Sequence, residues 1–168
     1  MWSLANVGLL ILRLAVGLIF VAHGSQKLFG WFGGKGISGQ TGLMKMLGAR
    51  PARLFALISG GGEFFGGLGV AAGLLTPLAA AGILGSMIVA IVKVHWAKGF
   101  WNSGGGVEFP LILAVTSFVI GLVGPGTYSL DYAFRLGLPE PLTYIIVLAA
   151  MVLVVMYIMA GPAPKRRT

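Results

Sequence analysis

The segment LFALISGGGEFFGGLGVAAGLL, residues 54–75, contains one charged side chain, Glu63, in an otherwise apolar run rich in glycine. About 20 apolar residues are needed to cross a membrane hydrocarbon core that is roughly 30 Å thick. An α-helix is suited to this crossing because it satisfies all of its backbone hydrogen bonds internally. We therefore predict a transmembrane helix here, with one carboxylate inside it.

The composition of the whole chain agrees with a membrane protein. The 168 residues are 57% hydrophobic and only 10% charged, whereas a soluble domain has about a quarter of its residues charged. These values exclude an ordinary soluble globule and a disordered chain. The sequence has no cysteine, which excludes disulfides, iron–sulfur clusters and thiolate zinc sites. We predict an all-α, polytopic membrane helix bundle that forms a single domain over residues 1–168.

Five apolar stretches are candidates for membrane spans. A proline can occupy the first turn of a new helix, so we place a boundary between the second and third stretches at Thr76-Pro77. A kink within one longer helix is the alternative at this point. The five predicted spans are Ala5–Gly24, Leu54–Leu75, Pro77–Trp96, Phe109–Val123 and Leu142–Ala160.

The distribution of basic residues favours five spans over four. With five, ten of the 12 Lys and Arg residues fall on one side of the membrane, in the first loop, the third loop and the tail at residues 161–168. Basic loops remain on the cytoplasmic side, so we predict an external N-terminus and a cytoplasmic C-terminus. The net charge of +8 is explained by this topology, and we expect no nucleic-acid partner.

Small residues line one face of the second and third spans, which predicts close helix packing in lipid. A second glycine pattern, at residues 34–39, matches the G-x-G-x-x-G fingerprint of dinucleotide-binding proteins. That fingerprint requires a preceding strand, and we do not assign a nucleotide site in a loop between spans. The small residues on the faces of the second and third spans are Ala56, Ser59, Gly60, Gly66, Gly67 and Val70 around Glu63, and Gly82, Ser86, Val89 and Ala90 on the face of Lys93.

Two charged residues fall deep inside predicted spans. A helix rises about 1.5 Å per residue, and counting from the predicted span ends places Arg13 and Glu63 at similar depths. Ionisable groups inside a bilayer usually face the bundle and are paired. We predict an Arg13–Glu63 ion pair near the midplane, which either braces a functional pocket or only fixes the helix register.

A second polar cluster is expected at the cytoplasmic edge, where His23 and Lys27 end the first span. Lys93 is predicted to point inward from the third span, with snorkelling to the interface as the alternative. His95 can turn inward only if its helix ends or unwinds there. Glu108 opens the fourth span, where a carboxylate is also favoured by the helix dipole.

The His, Lys and Glu side chains of this polar cluster suit proton exchange with a bound quinone. Two histidines and two carboxylates could ligate a metal, but no two of them have the spacing of one helical turn, and Glu63 is expected to pair with Arg13. A haem between the two histidines is not expected either, because both lie at the membrane edge. A His, a Lys and a carboxylate beside an apolar slot can polarise a carbonyl and exchange protons. We predict His23, Lys93, His95 and Glu108 as catalytic groups, and His23, Lys27, Phe20 and Trp96 as quinone contacts.

Several segments in order resemble the DoxX family of small bacterial membrane proteins, over residues 5–135. The resemblance implies a four-helix membrane core, to which residues 142–160 add a fifth C-terminal transmembrane helix. It also implies membrane-bound redox work, since some relatives resemble the membrane subunit of thiosulfate:quinone oxidoreductase. The matching polar positions are Arg13, His23, Lys27, Glu63, His95 and Glu108. The segments are LRLAVG at 12–17, HGSQKLFG at 23–30, GEFFGG at 62–67, GFW at 99–101, GGVE at 105–108 and GPGTYSLD at 124–131.

Three functional hypotheses follow. The leading one is a quinone-linked oxidoreductase subunit that draws on the membrane quinone pool and meets a soluble redox partner at its cytoplasmic face. The second is a non-enzymatic scaffold that recruits soluble redox enzymes through Lys35, Lys45 and Arg50. The third is a transporter of protons or small solutes that depends on Glu63. A homo-oligomer is left open under each.

Overall fold

The described part of the chain is all-helical. The computed structural model describes residues 4–137 and 141–160, apart from the side chains of residues 154, 155 and 157–160, and contains no strand within those ranges. The predicted all-α fold is confirmed, while the basic tail at 161–168 lies outside the described residues. The helices are α1 Leu4–Leu28, α2 Gly36–Met46, α3 Ala52–Ala72, α4 Thr76–Ala90, α5 Glu108–Val123, α6 Leu130–Ala133 and α7 Leu142–Ala160.

The long apolar helices lie where the spans are predicted. α1, α3 and the helical run Thr76–Lys98 are each long and apolar enough to cross a membrane. α5 and α7 are apolar helices at the positions of the fourth and fifth predicted spans. The number of crossings and the orientation of the termini stay predictions.

The first loop contains a helix that the sequence analysis does not predict. α2 has 11 residues, three of which are glycine (Gly36, Gly39 and Gly42), so its intrinsic helix propensity is low. It packs against α3 and α1, and the Gln40 amide donates a hydrogen bond to the Ser59 hydroxyl at 3.2 Å. Tertiary packing therefore stabilises α2 beside α3 where its own sequence favours a loop.

α1 and α3 approach each other at their glycines. A Cβ atom on Gly17 would lie 2.6 Å from the backbone nitrogen of Ala71, and one on Gly67 would lie 2.7 Å from the carbonyl oxygen of Gly17. Further along, a Cβ on Gly24 would lie 2.5 Å from the backbone nitrogen of Phe64. The predicted close packing is confirmed for Gly67, and these contacts fix an antiparallel register.

The junction between α3 and α4 is a turn and not a kink. Gly73 and Leu75 both adopt left-handed backbone conformations, with φ of 66° and 47°, which interrupt the helix. Pro77 follows in the first turn of α4. The prediction of two separate helices is confirmed.

α4 loses its regular geometry at its C-terminal end. A π-helical turn covers Ile91–His95 and a 3-10 turn covers Trp96–Lys98. Because a π turn adds a residue to the helical repeat, the side chains that follow leave the face on which a regular helix would place them. This change decides where Lys93 and His95 lie.

Tyr144 is a buried contact of α7 with the rest of the bundle. The Tyr144 side chain is fully buried and packs over Gly121, with its ring centroid 6.1 Å from that of Phe118. α7 also packs along α4. The resulting core joins residues of five helices, including Val16, Phe20, Val70, Ile83, Met87, Leu113, Ile120 and Tyr144.

Replacing Gly67 with alanine tests the α1–α3 contact. The new methyl group would collide with the backbone of Gly17 and Val21, so we expect a loss of about 1–3 kcal/mol in the free energy of unfolding. Gly61→Ala on the same helix is the matched control, because a Cβ there meets no atom within 4 Å. Unfolding in detergent micelles, followed by circular dichroism, measures both. Equal stability of the two variants would contradict the contact.

Candidate functional site

The charged side chains form two separate groups, and the predicted Arg13–Glu63 pair is wrong. The Lys27 ammonium forms the ion pair with Glu63, and the Arg13 guanidinium donates to the carbonyl oxygen of Tyr128. The depth estimate assumed that the ends of the two helices are level. In the structure Leu28, at the end of α1, packs against Gly60, although α3 begins at Ala52. This offset of about 12 Å brings Lys27 to the level of Glu63.

The Arg13 group is a structural clamp. The Asp131 carboxylate accepts hydrogen bonds from the backbone N–H groups of Leu75 at 2.7 Å and Thr76 at 2.9 Å, and from the Thr76 hydroxyl at 2.7 Å. These bonds satisfy amides at the start of α4 that no helical carbonyl can reach. Arg13 interacts electrostatically with Asp131. The clamp joins α1, the α3–α4 turn and α6.

The other group brings together His23, Lys27 and Glu63. Glu63 is 2% exposed and Lys27 is 27% exposed, so this ion pair lies largely inside the protein. His23, one helical turn before Lys27 on α1, interacts electrostatically with both partners. Its ring packs against Phe109 of α5, with 6.2 Å between the ring centroids. His23, Lys27 and Glu63, three of the predicted polar positions, therefore lie together near the C-terminal end of α1.

One oxygen of the Glu63 carboxylate is unsatisfied. Lys27 bonds Oε1, while Oε2 is buried and has no hydrogen-bond partner among the described residues. An unpaired buried acceptor costs about 1–3 kcal/mol, and buried polar groups in folded proteins are nearly always paired. The geometry therefore leaves room for a hydrogen-bond donor that is not part of the described chain.

Glu63 lines a cavity of about 240 Å³, which we call the apolar cavity. Small residues of α3 and α4 form much of its wall, together with the larger side chains of Phe55, Ile58 and Val89. Leu43 of α2, Leu47 directly after α2 and Met151 of α7 also line it. The small residues lining it include Ser59, Gly62, Gly82, Gly85, Ser86 and Ala90.

A second cavity of about 340 Å³ shares lining residues with the apolar cavity. We call it the polar cavity after its polar side chains, although Leu43 and Met46 line it as well. Gln26, Lys35 and the glycines around Lys35 line this polar cavity, and Lys35 is exposed. Lys27 and Gln40 line both cavities. Lys27 therefore lies at the junction between a polar opening and the apolar cavity.

The remaining predicted catalytic groups lie elsewhere. His95 Nδ1 is 2.6 Å from the carbonyl oxygen of Gly105, and the Glu108 carboxylate accepts a hydrogen bond from the backbone N–H of Asn102 at 2.9 Å. Both side chains brace the loop at residues 99–107. Lys93 is exposed instead of pointing inward, because the π turn takes it off the small-residue face.

The two aromatic residues predicted to contact a quinone line neither cavity. Phe20 is fully buried in the core. Trp96, in the 3-10 turn that follows the π turn, is 71% exposed.

Several residues that shape the Arg13 group and the Lys27–Glu63 group were not predicted from the sequence. Gln40 belongs to the unpredicted helix α2, and no pattern marked it as buried. Asp131 lies within a segment that resembles the family, but its partners are 55 residues away in sequence, so no local spacing could reveal its role. Among residues 4–137 and 141–160, no three His, Asp or Glu side chains are grouped to bind a metal ion.

Replacing Lys27 with methionine tests the buried pair. The Glu63 carboxylate would lose its partner, so we expect the free energy of unfolding to fall by about 3 kcal/mol. Adding Glu63→Gln removes the unpaired charge and should restore much of that loss. Lys45→Met is the control, because Lys45 is exposed on α2. A Lys27→Met protein as stable as Lys45→Met would show that the pair does not form.

Comparisons of the sequence with known proteins identify its family. The DoxX family model matches residues 8–96, which contain most of α1 and all of α3. The Bacillus subtilis (strain 168) protein named "Putative oxidoreductase CatD" is 32% identical over 126 residues, covering 75% of this chain and 86% of that protein. "Uncharacterized membrane protein Rv3486" of Mycobacterium tuberculosis is 32% identical over 130 residues, covering 71% and 77%. No solved structure matches. The chain belongs to the DoxX family of membrane proteins.

Proposed function

We propose that this protein is the membrane-embedded subunit of a quinone-linked oxidoreductase. In this proposal the apolar cavity receives the quinone ring, and Lys27 and Glu63 handle its protons. The unpartnered Oε2 atom of Glu63 in the cavity wall is the observation that carries the proposal. One relative is named as an oxidoreductase, which supports the same class of activity.

The residues around the cavity fit a quinone. A quinone combines a flat apolar ring with oxygen atoms at its edge, and the cavity combines small apolar walls with one charged corner. An ammonium group has three donor hydrogens, and Lys27 uses one on Glu63. Its other hydrogens can bond an oxygen of the ring, while Glu63 Oε2 can accept a hydrogen bond or a proton.

Proton exchange needs a route to water, and the polar cavity supplies one. Reducing a quinone to a quinol takes up two electrons and two protons, and oxidation releases them. Lys27 lies between the two cavities, and His23 lies beside the ion pair. We propose that protons pass between water and the ring through these groups, with Glu63 as the residue that touches the ring oxygen.

The electrons come from a second protein in this proposal. A soluble redox protein with a flavin or metal centre would dock on the basic end of the bundle, which we define by Lys35, Lys45, Arg50, Arg53 and Lys98. Lys35, Lys45, Arg50 and Lys98 are exposed, so an acidic partner surface would complement them. With five spans and an external N-terminus, this end faces the cytoplasm of a bacterium.

A ligand-binding measurement tests the proposal. The protein is purified in mild detergent, and saturable binding of decylubiquinone, a quinone with a short tail, is measured by isothermal titration. Gly82→Leu should weaken binding at least tenfold, because Gly82 lines the cavity and a Cβ there meets no atom within 4 Å. We therefore expect the leucine side chain to occupy part of the cavity, and circular dichroism of the variant checks that the helices are retained.

Gly61→Leu is the matched control for this test. A Cβ on Gly61 also meets no atom within 4 Å, but Gly61 does not line the cavity, so its affinity should equal that of the wild type. No saturable binding by the wild-type protein would contradict the proposal and favour a scaffold role. Equal binding by both leucine variants would place the ligand outside the apolar cavity.

A further inference from the structure

We infer that the apolar cavity selects the hydroxyl-bearing, reduced form of its ligand, a quinol, over the quinone. This inference deepens the proposed function and rests on it. It concerns which oxidation state of the ring the corner formed by Lys27 and Glu63 recognises. The reason is the hydrogen-bonding character of the two side chains.

The corner offers a donor and an acceptor side by side. The Lys27 ammonium can only donate, and an ionised Glu63 carboxylate can only accept. A quinol hydroxyl does both, so one hydroxyl can accept from Lys27 and donate to Oε2. A quinone carbonyl only accepts, so it satisfies Lys27 and leaves Oε2 as it was.

Burial makes this difference matter. Glu63 is 2% exposed, so its carboxylate has little direct contact with bulk water. Ser59 and Ser86 also line the cavity, but neither hydroxyl bonds Oε2 in the described structure. The Gln40 amide is already committed to Ser59. A hydroxyl-bearing ligand in the cavity would supply the donor that Oε2 lacks among the described residues.

A quinone carbonyl oxygen beside Oε2 cannot donate a hydrogen bond to it, and the contact is also electrostatically unfavourable. Two acceptor oxygens cannot share a hydrogen bond, and both carry partial or full negative charge. In a buried, apolar setting this repulsion is weakly screened. The quinone must either stay away from Oε2 or tolerate the contact, whereas the quinol gains a bond there.

The test compares two ligands that differ by two hydrogen atoms. Decylubiquinol and decylubiquinone are titrated into the detergent-purified protein, the quinol under anaerobic conditions. We expect the quinol to bind about tenfold more tightly, since satisfying one buried acceptor is worth about the 1.4 kcal/mol that a tenfold change in affinity represents. In Glu63→Gln the preference should fall to parity or reverse, because the amide of glutamine can donate to a carbonyl.

A third ligand keeps the test independent of how well the variant folds. The dimethyl ether of decylubiquinol has the same ring and tail but no hydroxyl hydrogen, so the wild-type protein should bind it no better than the quinone. Equal affinity for quinol and quinone would overturn the inference and leave the proposed function standing. A quinol preference that survives in folded Glu63→Gln would also overturn the inference. If none of the three ligands binds, both the inference and the proposed function are contradicted.

Discussion

The contact between α1 and α3 at their glycines sets the relative positions of Arg13, Lys27 and Glu63 in this bundle. Gly17, Gly24 and Gly67 let the two backbones approach so closely that a single methyl group would collide with the facing helix. Such a contact cannot slide along the helix axis without losing its packing. The register that results places Lys27 beside Glu63 and carries Arg13 to the opposite end of α3.

The two buried carboxylates, Asp131 and Glu63, differ in how completely they are hydrogen-bonded, and we relate this difference to their roles. Asp131 receives three hydrogen bonds from the start of α4, so its carboxylate has little capacity left for a ligand. Glu63 has one oxygen bonded to Lys27 and one with no partner in the described chain, beside a cavity. A fully bonded carboxylate stabilises a fold, whereas a half-bonded one in a cavity wall is suited to bind.

The sequence predicts the helices well and the pairing of side chains poorly. Long apolar runs and the Thr76-Pro77 boundary are local signals, and they give the positions of α1, α3, α4, α5 and α7. The partner of Glu63 depends on the offset between α1 and α3, which no local pattern contains. The same holds for Lys93, whose direction depends on a π turn, and for Gln40, which lies on a helix that only tertiary packing stabilises. His23, Lys27 and Glu63 could be identified as polar positions within spans, but their convergence could not.

We propose that Oε2 of Glu63 binds a ligand in the apolar cavity. Infrared difference spectroscopy of the purified protein, recorded with and without decylubiquinol, observes that carboxylate directly. We predict a shift of a carboxylate stretching band on binding, and its absence from the spectrum of Glu63→Gln. A difference spectrum in which wild type and Glu63→Gln show the same carboxylate bands would contradict the claim.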